Sequence, residues 1–197
     1  MCWFIGYFCP MNQRVFIDAN TLYSRTLRDW TFLLRLNTND MFQLHTSWDV
    51  ITEVAARLRD KHPASNGALV TTLIERVQDV LDEIVTAYPG GPVEWIADEG
   101  DWHVHHAAVA AQADILLTGD QGFSSDKTPY EVLTCDEFFL EVATAAPHET
   151  KEVLQRQAEY WGKKPQSKQV PEALRLSGCE EFALWAEAEL KKIALQR

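Results

Sequence analysis

The sequence predicts an α/β protein of three layers, in which a small central parallel β-sheet is flanked by helices, with a helical appendage at the carboxyl end. Three apolar runs have the length and composition of strands, namely 14–18 (RVFID), 93–96 (VEWI) and 114–118 (DILLT). Stretches with helical periodicity separate these runs. Strands that alternate with helices pair in parallel and present their sites at the carboxyl ends of the strands. We therefore look for functional residues just after each strand.

The remaining elements are predicted from helix caps and turn-forming residues. Ser47 is a predicted N-cap, because its hydroxyl precedes a helical pattern that continues to Arg59. The stretch Tyr88-Pro89-Gly90-Gly91-Pro92 is the strongest turn signal. The predicted strands are 14–18, 42–44, 93–96, 114–118 and 132–134, and the predicted helices are 21–36, 48–59, 67–87, 103–112 and 136–145.

The composition changes after Pro147 to charged, amphipathic helix. Two helices are predicted there, 149–161 and 171–196, with a break at Ser177-Gly178. We predict an N-terminal tail at 1–13, an α/β domain at 14–146 and a helical extension at 147–197. The apolar residues of the extension are expected to pack on the domain or on a partner.

Bulk composition indicates an ordinary globular chain, with 46% apolar and 24% charged residues among 197. The net charge of −11 argues against broad electrostatic binding of nucleic acid, unless bound cations reverse the local sign. Cys2, Cys9, Cys135 and Cys179 have neither zinc-ligand nor redox spacing, which fits a reducing cytoplasm. The apolar start, residues 1–10, resembles neither a signal peptide nor a membrane span, so we expect no membrane association.

Acidic residues follow three of the predicted strands. Asp18 ends the first strand, Asp101 follows strand 93–96, and Asp120 follows strand 114–118, which predicts that all three lie on one edge of the sheet. Glu53 lies in the helix after Ser47, and the apolar face of that helix would bring Glu53 over the same edge. Asn20 and Thr118 lie two residues from Asp18 and Asp120, where they could orient a ligand or a water molecule.

Crowded carboxylates repel one another, so four of them together indicate bound cations. Hard oxygen ligands select Mg²⁺, with Mn²⁺ as a substitute, and the number of ions is left open at one or two. His103 could contact a phosphate or a water near Asp101, but we favour capping or packing roles for His103, His105 and His106 alike.

The ordered set of motifs resembles the PIN domain over about residues 14–145. The motifs are FIDAN at 16–20, the helical Glu53, DWHV at 101–104 and LLTGD at 116–120. The chain looks most like the VapC-like toxins, and its helical tail resembles the C-terminal extension of one actinobacterial-type subset. The resemblance implies a Mg²⁺-dependent endoribonuclease of a toxin–antitoxin module, homodimeric, and silenced by an antitoxin protein. Asp18, Glu53, Asp101 and Asp120 match the acidic positions of the family, as catalytic residues and metal ligands.

Two alternatives remain. One is a non-catalytic module that binds RNA or protein on the same fold. The other is a Mg²⁺-dependent phosphatase, which would need a second acid where this chain has Asn20. Arg25 and Arg28 could reach a substrate phosphate, and Lys163, Lys164 and Lys168 form a basic cluster with the same potential.

Overall fold

The structure is a computed structural model that describes residues 12–64, 66–123 and 126–195. Five strands form one parallel sheet in the order β3-β2-β1-β4-β5, and helices cover both of its faces. This confirms the predicted α/β fold of three layers with C-terminal helices. The strands are β1 (Gln13–Ile17), β2 (Phe42–Ser47), β3 (Glu83–Val85), β4 (Ile115–Leu117) and β5 (Glu131–Leu133). The helices are α1 (Ala19–Tyr23), α2 (Arg25–Asn37), α3 (Trp48–Lys61), α4 (Gly67–Val80), α5 (Trp102–Ala110), α6 (Cys135–Ala145), α7 (Pro147–Gly162), α8 (Val170–Leu176) and α9 (Glu180–Leu195).

Strand β1 lies at the centre of the sheet because its side chains are apolar on both faces. Val15, Phe16 and Ile17 are all fully buried, as are the three residues of its neighbour β4. Continuous apolar runs of this kind are typical of parallel strands covered by helices on both faces. The register pairs Ile17 with Leu117, so the two strands end side by side. Whatever follows Ile17 is therefore adjacent to whatever follows Leu117.

Two predicted elements are wrong. Residues 93–96 are not a strand: Val93 and Ile96 are buried, but the amide of Ile96 bonds to the carbonyl of Val93 in a turn. The third strand instead comes from the end of the helix predicted at 67–87. That helix stops at Val80 because Asp82 is held against β2, where its carboxylate accepts from the amide of Leu44. Arg35 also pairs with Asp82, which fixes the chain at the start of β3.

A third difference lies after β1, where the single helix predicted at 21–36 is two helices. Asp18 caps α1, and Ser24 interrupts the helical hydrogen bonding with an extended backbone at ψ 116°. The hydroxyl of Ser24 accepts from the amide of Leu27 and so caps α2. The Ser47 cap of α3 is confirmed, since its hydroxyl accepts from the amide of Val50.

The C-terminal helices share the core of the sheet domain. Phe182 of α9 is fully buried, and its ring centroid lies 5.0 Å from Trp30 of α2 and 5.3 Å from Phe139 of α6. Val153 and Leu154 of α7 are buried in the same apolar cluster. The predicted packing of the extension on the domain is thereby confirmed for these residues, whereas Tyr160 and Leu184 are exposed.

Some sequence-based expectations concern residues outside the described part of the chain. Residues 1–11 of the predicted tail, with Cys2 and Cys9, belong to that group. Cys135 and Cys179 are buried free thiols. Within the described ranges, no helix combines the length and apolar character needed to cross a membrane.

The aromatic contact between α9 and α2 provides a test of the shared core. We expect Phe182→Ala to lower the free energy of unfolding by about 3–5 kcal/mol, because a large buried ring is replaced by a cavity. Leu184→Ala on the same helix, where the leucine is 46% exposed, should change it by no more than about 0.5 kcal/mol. Urea denaturation measures both. Equal effects of the two substitutions would contradict a common core.

Candidate active site

Asp18 is the most constrained acid of the predicted set. It follows β1, is 7% exposed, and its Oδ1 accepts from the amide of Ala19 at 2.6 Å. Its Oδ2 accepts from the Asn20 amide nitrogen at 2.7 Å and from the Thr118 hydroxyl at 2.7 Å. Burial raises the pKa of Asp18, while the hydrogen bonds from Thr118 and Ala19 act in the opposite direction. The carboxylate is thus held in one orientation by three donors.

Thr118 joins Asp18 to Asp120. The Thr118 hydroxyl oxygen accepts from the Asn20 side chain at 2.9 Å and from the amide of Asp120 at 3.0 Å. Asn20 also accepts from the amide of Gly119 at 3.3 Å. The ends of β1 and β4 are therefore linked by side chains as well as by sheet pairing. The sequence predicts that Asn20 and Thr118 orient a ligand or a water molecule, and in the structure both donate to the carboxylate of Asp18.

Asp120 lies in the exposed turn after β4. Its Oδ1 accepts from the amide of Gly122 at 2.7 Å, which fixes the side chain within the turn. A Cβ on Gly122 would approach this Oδ1 to 3.2 Å, so glycine permits the tight turn. The negative charge of Asp120 raises the pKa of both Asp18 and Asp101. The three aspartates are therefore electrostatic neighbours at the carboxyl edge of β1 and β4.

Asp101 reaches this edge by a different route from the one predicted. It does not follow a strand but ends a short 3-10 turn, Glu99–Asp101, at the start of α5. Asp98 caps that turn by accepting from the amide of Gly100 at 2.8 Å. Burial, followed by the charges of Asp120, Asp98, Asp18 and Glu53, raises the pKa of Asp101 to about 6. The sequence thus indicated the neighbourhood of Asp101 correctly and its structural support wrongly.

Glu53 lies on α3, half-buried, and makes an ion pair with Arg57 one turn later. Its Oε2 lies 3.8 Å from Nε2 of His103, whose Nδ1 is buried without a hydrogen-bond partner in the described structure. Asp49, one turn before Glu53, instead accepts a hydrogen bond from Tyr88. Glu53 is therefore the acid of α3 whose charge acts on Asp101.

Arg57 is a residue of this neighbourhood that the sequence analysis missed. Its positive charge lowers the pKa of Asp18 while its guanidinium pairs with Glu53. The spacing of four residues from Glu53 on a helix was the available signal, because such positions are neighbours on one face. Arg57 therefore supplies a counter-charge to at least two of the four carboxylates, Glu53 and Asp18.

The other two histidines of α5 have structural partners. Nδ1 of His105 lies 2.8 Å from the Tyr130 hydroxyl, and its ring packs edge-on against Trp95. Nε2 of His106 donates to the carbonyl of Gly91 at 3.0 Å. These contacts confirm the packing roles expected for both residues.

The site offers the ligand type that hard divalent cations prefer, because four carboxylates supply oxygen atoms. The Asn20 amide and the Thr118 hydroxyl lie beside them. In the described residues, no three His, Cys, Asp or Glu side chains converge closely enough to form a metal-binding group. Asp18 is turned toward Thr118 and Asn20, and Glu53 is turned toward Arg57. The carboxylates are therefore close enough to raise the pKa of Asp101, but their oxygens do not converge on one position.

Comparison with known proteins gives one family. The family model described as "PIN domain" matches residues 14–122, which is more than half of the chain and contains all four acids. The chain belongs to the PIN domain family. PIN domains are generally nucleases and typically use a divalent metal ion. Searches of curated proteins and of solved structures returned no match.

The raised pKa of Asp101 predicts a pH-dependent stability. Folded Asp101 keeps its proton to about pH 6, against an ordinary value of 3.8, so the folded state binds more protons between these values. The free energy of unfolding should then fall as pH rises through this window. With EDTA at pH 7, we expect Asp101→Asn to raise Tm by roughly 2–4 °C, since partial exposure reduces the gain to about 1 kcal/mol.

Glu99→Gln serves as the control, because Glu99 lies exposed in the same turn, whereas the charges that raise the pKa of Asp101 most are those of Asp120, Asp98, Asp18 and Glu53. It should leave the difference in Tm between pH 4 and pH 7 unchanged in a thermal melt followed by circular dichroism. A wild-type protein that gains stability over the same pH range, relative to Asp101→Asn, would contradict the assigned environment of Asp101.

Proposed function

We propose that this PIN domain is an endoribonuclease that hydrolyses RNA phosphodiesters with the help of a divalent cation, Mg²⁺ or Mn²⁺. The observation that carries the proposal is the set of hydrogen bonds from Asn20 and Thr118 to Asp18, beside Asp120 and Asp101. A carboxylate held by three donors at a ligand-binding edge of the sheet is preorganised, because little reorganisation is needed when a charged ligand arrives. Family membership supplies the nuclease class.

The residues fit a cation by charge as well as by donor type. The carboxylates of Asp120, Asp98, Asp18 and Glu53 all raise the pKa of Asp101, so their mutual repulsion is only partly balanced. Added positive charge among them would relieve this repulsion and favour the ionised form of Asp101. In this proposal Asp18, Glu53, Asp101 and Asp120 are the ligands. The chemistry that a divalent cation would contribute is stabilisation of the phosphoryl charge and an activated water.

Each side chain has a distinct part in the proposal. Asp18 is fixed by Asn20 and Thr118, which act as positioning residues, while Asp120 is fixed by the turn at Gly122. Glu53 would exchange its pairing with Arg57 for the cation, leaving the exposed guanidinium near the substrate phosphate. His103 lies beside Glu53 and could donate to a phosphate oxygen or to a water.

A phosphatase that uses an aspartate after the first strand would need an acid two residues later. Asn20 occupies that position, and its amide nitrogen donates to both Asp18 and Thr118. An amide in this position orients the carboxylate but supplies no proton for a leaving group. Nothing in the observed contacts therefore favours the phosphatase over the nuclease.

The finer proposal is that the protein is the toxin of a type II toxin–antitoxin module. It rests on the resemblance of the FIDAN, DWHV and LLTGD motifs to VapC-like toxins. We propose on the same basis that it acts in the cytoplasm, forms a homodimer and is inhibited by an antitoxin protein. The buried contacts of α9 with α2 support a structural role for the extension in the folded monomer.

The nuclease proposal is tested by cleavage of a panel of structured RNAs. Purified protein should cut RNA with Mg²⁺ and not with EDTA, and Asp18→Asn, Glu53→Gln and Asp120→Asn should each lower kcat/KM by at least about 100-fold. Asp49→Asn is the matched control, because Asp49 lies on the helix of Glu53 but is bonded to Tyr88. It should retain activity within a few-fold. RNA that is bound but left intact by wild type with both metals would favour the non-catalytic module.

Growth of a bacterial host tests the toxin proposal separately. Induced expression of the wild-type chain should arrest growth and degrade specific RNAs, since the cytoplasm supplies Mg²⁺ and substrate. Asp120→Asn, expressed to the same level, should allow normal growth. An active nuclease in vitro whose expression leaves growth and cellular RNA unchanged would contradict the toxin assignment while leaving the enzyme assignment intact.

A further inference from the structure

A basic groove lies beside the acidic edge, on an otherwise strongly acidic protein. It is formed by the end of α1, the start of α2, the end of α3 and one face of α4. Arg25, Arg28, Lys61 and Arg76 line it, and no Asp or Glu is found among its lining residues in the described structure. The whole chain carries 29 acidic and 18 basic residues. Four cations with no lining carboxylate are therefore a local reversal of the overall charge.

The cations of the basic groove are close enough to repel one another. Burial, together with the charges of Arg25 and Arg76, lowers the pKa of Arg28, although Asp29 acts in the opposite direction. Asp29 does not line the groove but makes ion pairs with Arg25 at 3.5 Å and Arg28 at 3.9 Å. Lys61 and Arg76 are exposed. An anionic ligand in the groove would relieve the repulsion that remains.

The basic groove also presents an aromatic ring and apolar side chains. Tyr23 lies in its wall, with the ammonium group of Lys61 5.4 Å from the ring centroid. Leu69 of α4 is 45% exposed in the same groove. Cations interleaved with aromatic and apolar surface are the combination that proteins use for single-stranded nucleic acid, where phosphates pair with cations and bases stack.

Two helices connect the basic groove to the acidic edge. Asp18 caps the start of α1, and Tyr23 ends it. On α3, Glu53, Arg57 and Lys61 are spaced four residues apart and so share one face. The rise along that helix from Glu53 to Lys61 is about 12 Å. One ligand can therefore touch the carboxylates and the groove together.

We propose that the basic groove binds the phosphodiester backbone of single-stranded RNA on one side of the bond to be cut, an inference that rests on the proposed nuclease function. Lys61 and Arg76 contact phosphates, and Tyr23 stacks on a base. An acidic polypeptide is the competing occupant. RNA is favoured because Arg57, which pairs with Glu53, lies one turn before Lys61 on α3, so positive charge extends along this helix from the carboxylates to the groove.

Fluorescence anisotropy with a labelled single-stranded RNA 12-mer tests the proposal, with EDTA present so that the full chain binds without cutting. We expect Lys61→Gln/Arg76→Gln to bind roughly 25-fold more weakly at 0.1 M salt, with a salt slope lower by about 1.4, because two phosphate contacts of about 0.7 each are lost. The two single variants should each lose about half of that slope. Thermal melts establish that all variants are folded.

Lys191→Glu is the matched control. It changes the net charge by the same two units, but Lys191 is exposed on α9 and does not line the groove. It should bind RNA within about two-fold of wild type. The proposal is overturned if the double variant loses no more affinity than this control, or if polyglutamate binds the wild type more tightly than RNA does.

Cleavage assays separate this proposal from the nuclease function itself. Groove-dependent binding of RNA that is never cut would reject the nuclease and retain the basic groove as an RNA site. Cleavage that requires metal and carboxylates, yet has the same KM in the double variant and wild type, would reject the groove and retain the nuclease.

Discussion

The hydrogen bond from Thr118 to Asp18 joins the two central strands at the point where both end, and the rest of the site is arranged around it. It forms because Ile17 and Leu117 are partners in the register of β1 and β4, so the following residues meet. If β4 shifted by one residue along β1, Leu116 would turn to the opposite face of the sheet and Thr118 would move away from Asp18. The buried apolar side chains of both strands therefore fix the geometry of the carboxylate edge.

Negative charge at this edge is both the basis of the proposed chemistry and a cost to the folded state. The repulsion is reduced in two ways. The raised pKa of Asp101 favours its neutral form, and Arg57 pairs with the charge of Glu53. The protein can thus fold with four acids in proximity because burial is confined mainly to Asp18, whose oxygens are satisfied by three donors. The same small region thus contains a fixed carboxylate, Asp18, and two acids whose charges are partly neutralised, Asp101 and Glu53.

The sequence predicted best what local pattern decides. β1, β4 and the Ser47 cap depend on adjacent residues, and the motifs around Asp18 and Asp120 follow from them. The prediction failed where contacts between distant residues decide the structure. Strand β3 was missed because it depends on the contact of Asp82 with Leu44. Residues 93–96 were predicted as a strand because they are apolar, but Val93 and Ile96 are buried in a turn. Arg25 and Arg28 were predicted as possible phosphate contacts, but Lys61 and Arg76 lie on two other helices, and only the fold brings them into the same groove.

The contact of Phe182 with Trp30 and Phe139 connects residues from opposite ends of the chain. During synthesis, the apolar faces of α2 and α6 are complete long before α9 leaves the ribosome. The 36 residues from Pro147 to Phe182 take roughly 2–7 s to add at ordinary translation rates. For that interval Trp30 and Phe139 lack the ring that covers them in the folded protein, so the aromatic core between α2 and α6 is completed only when α9 has been made.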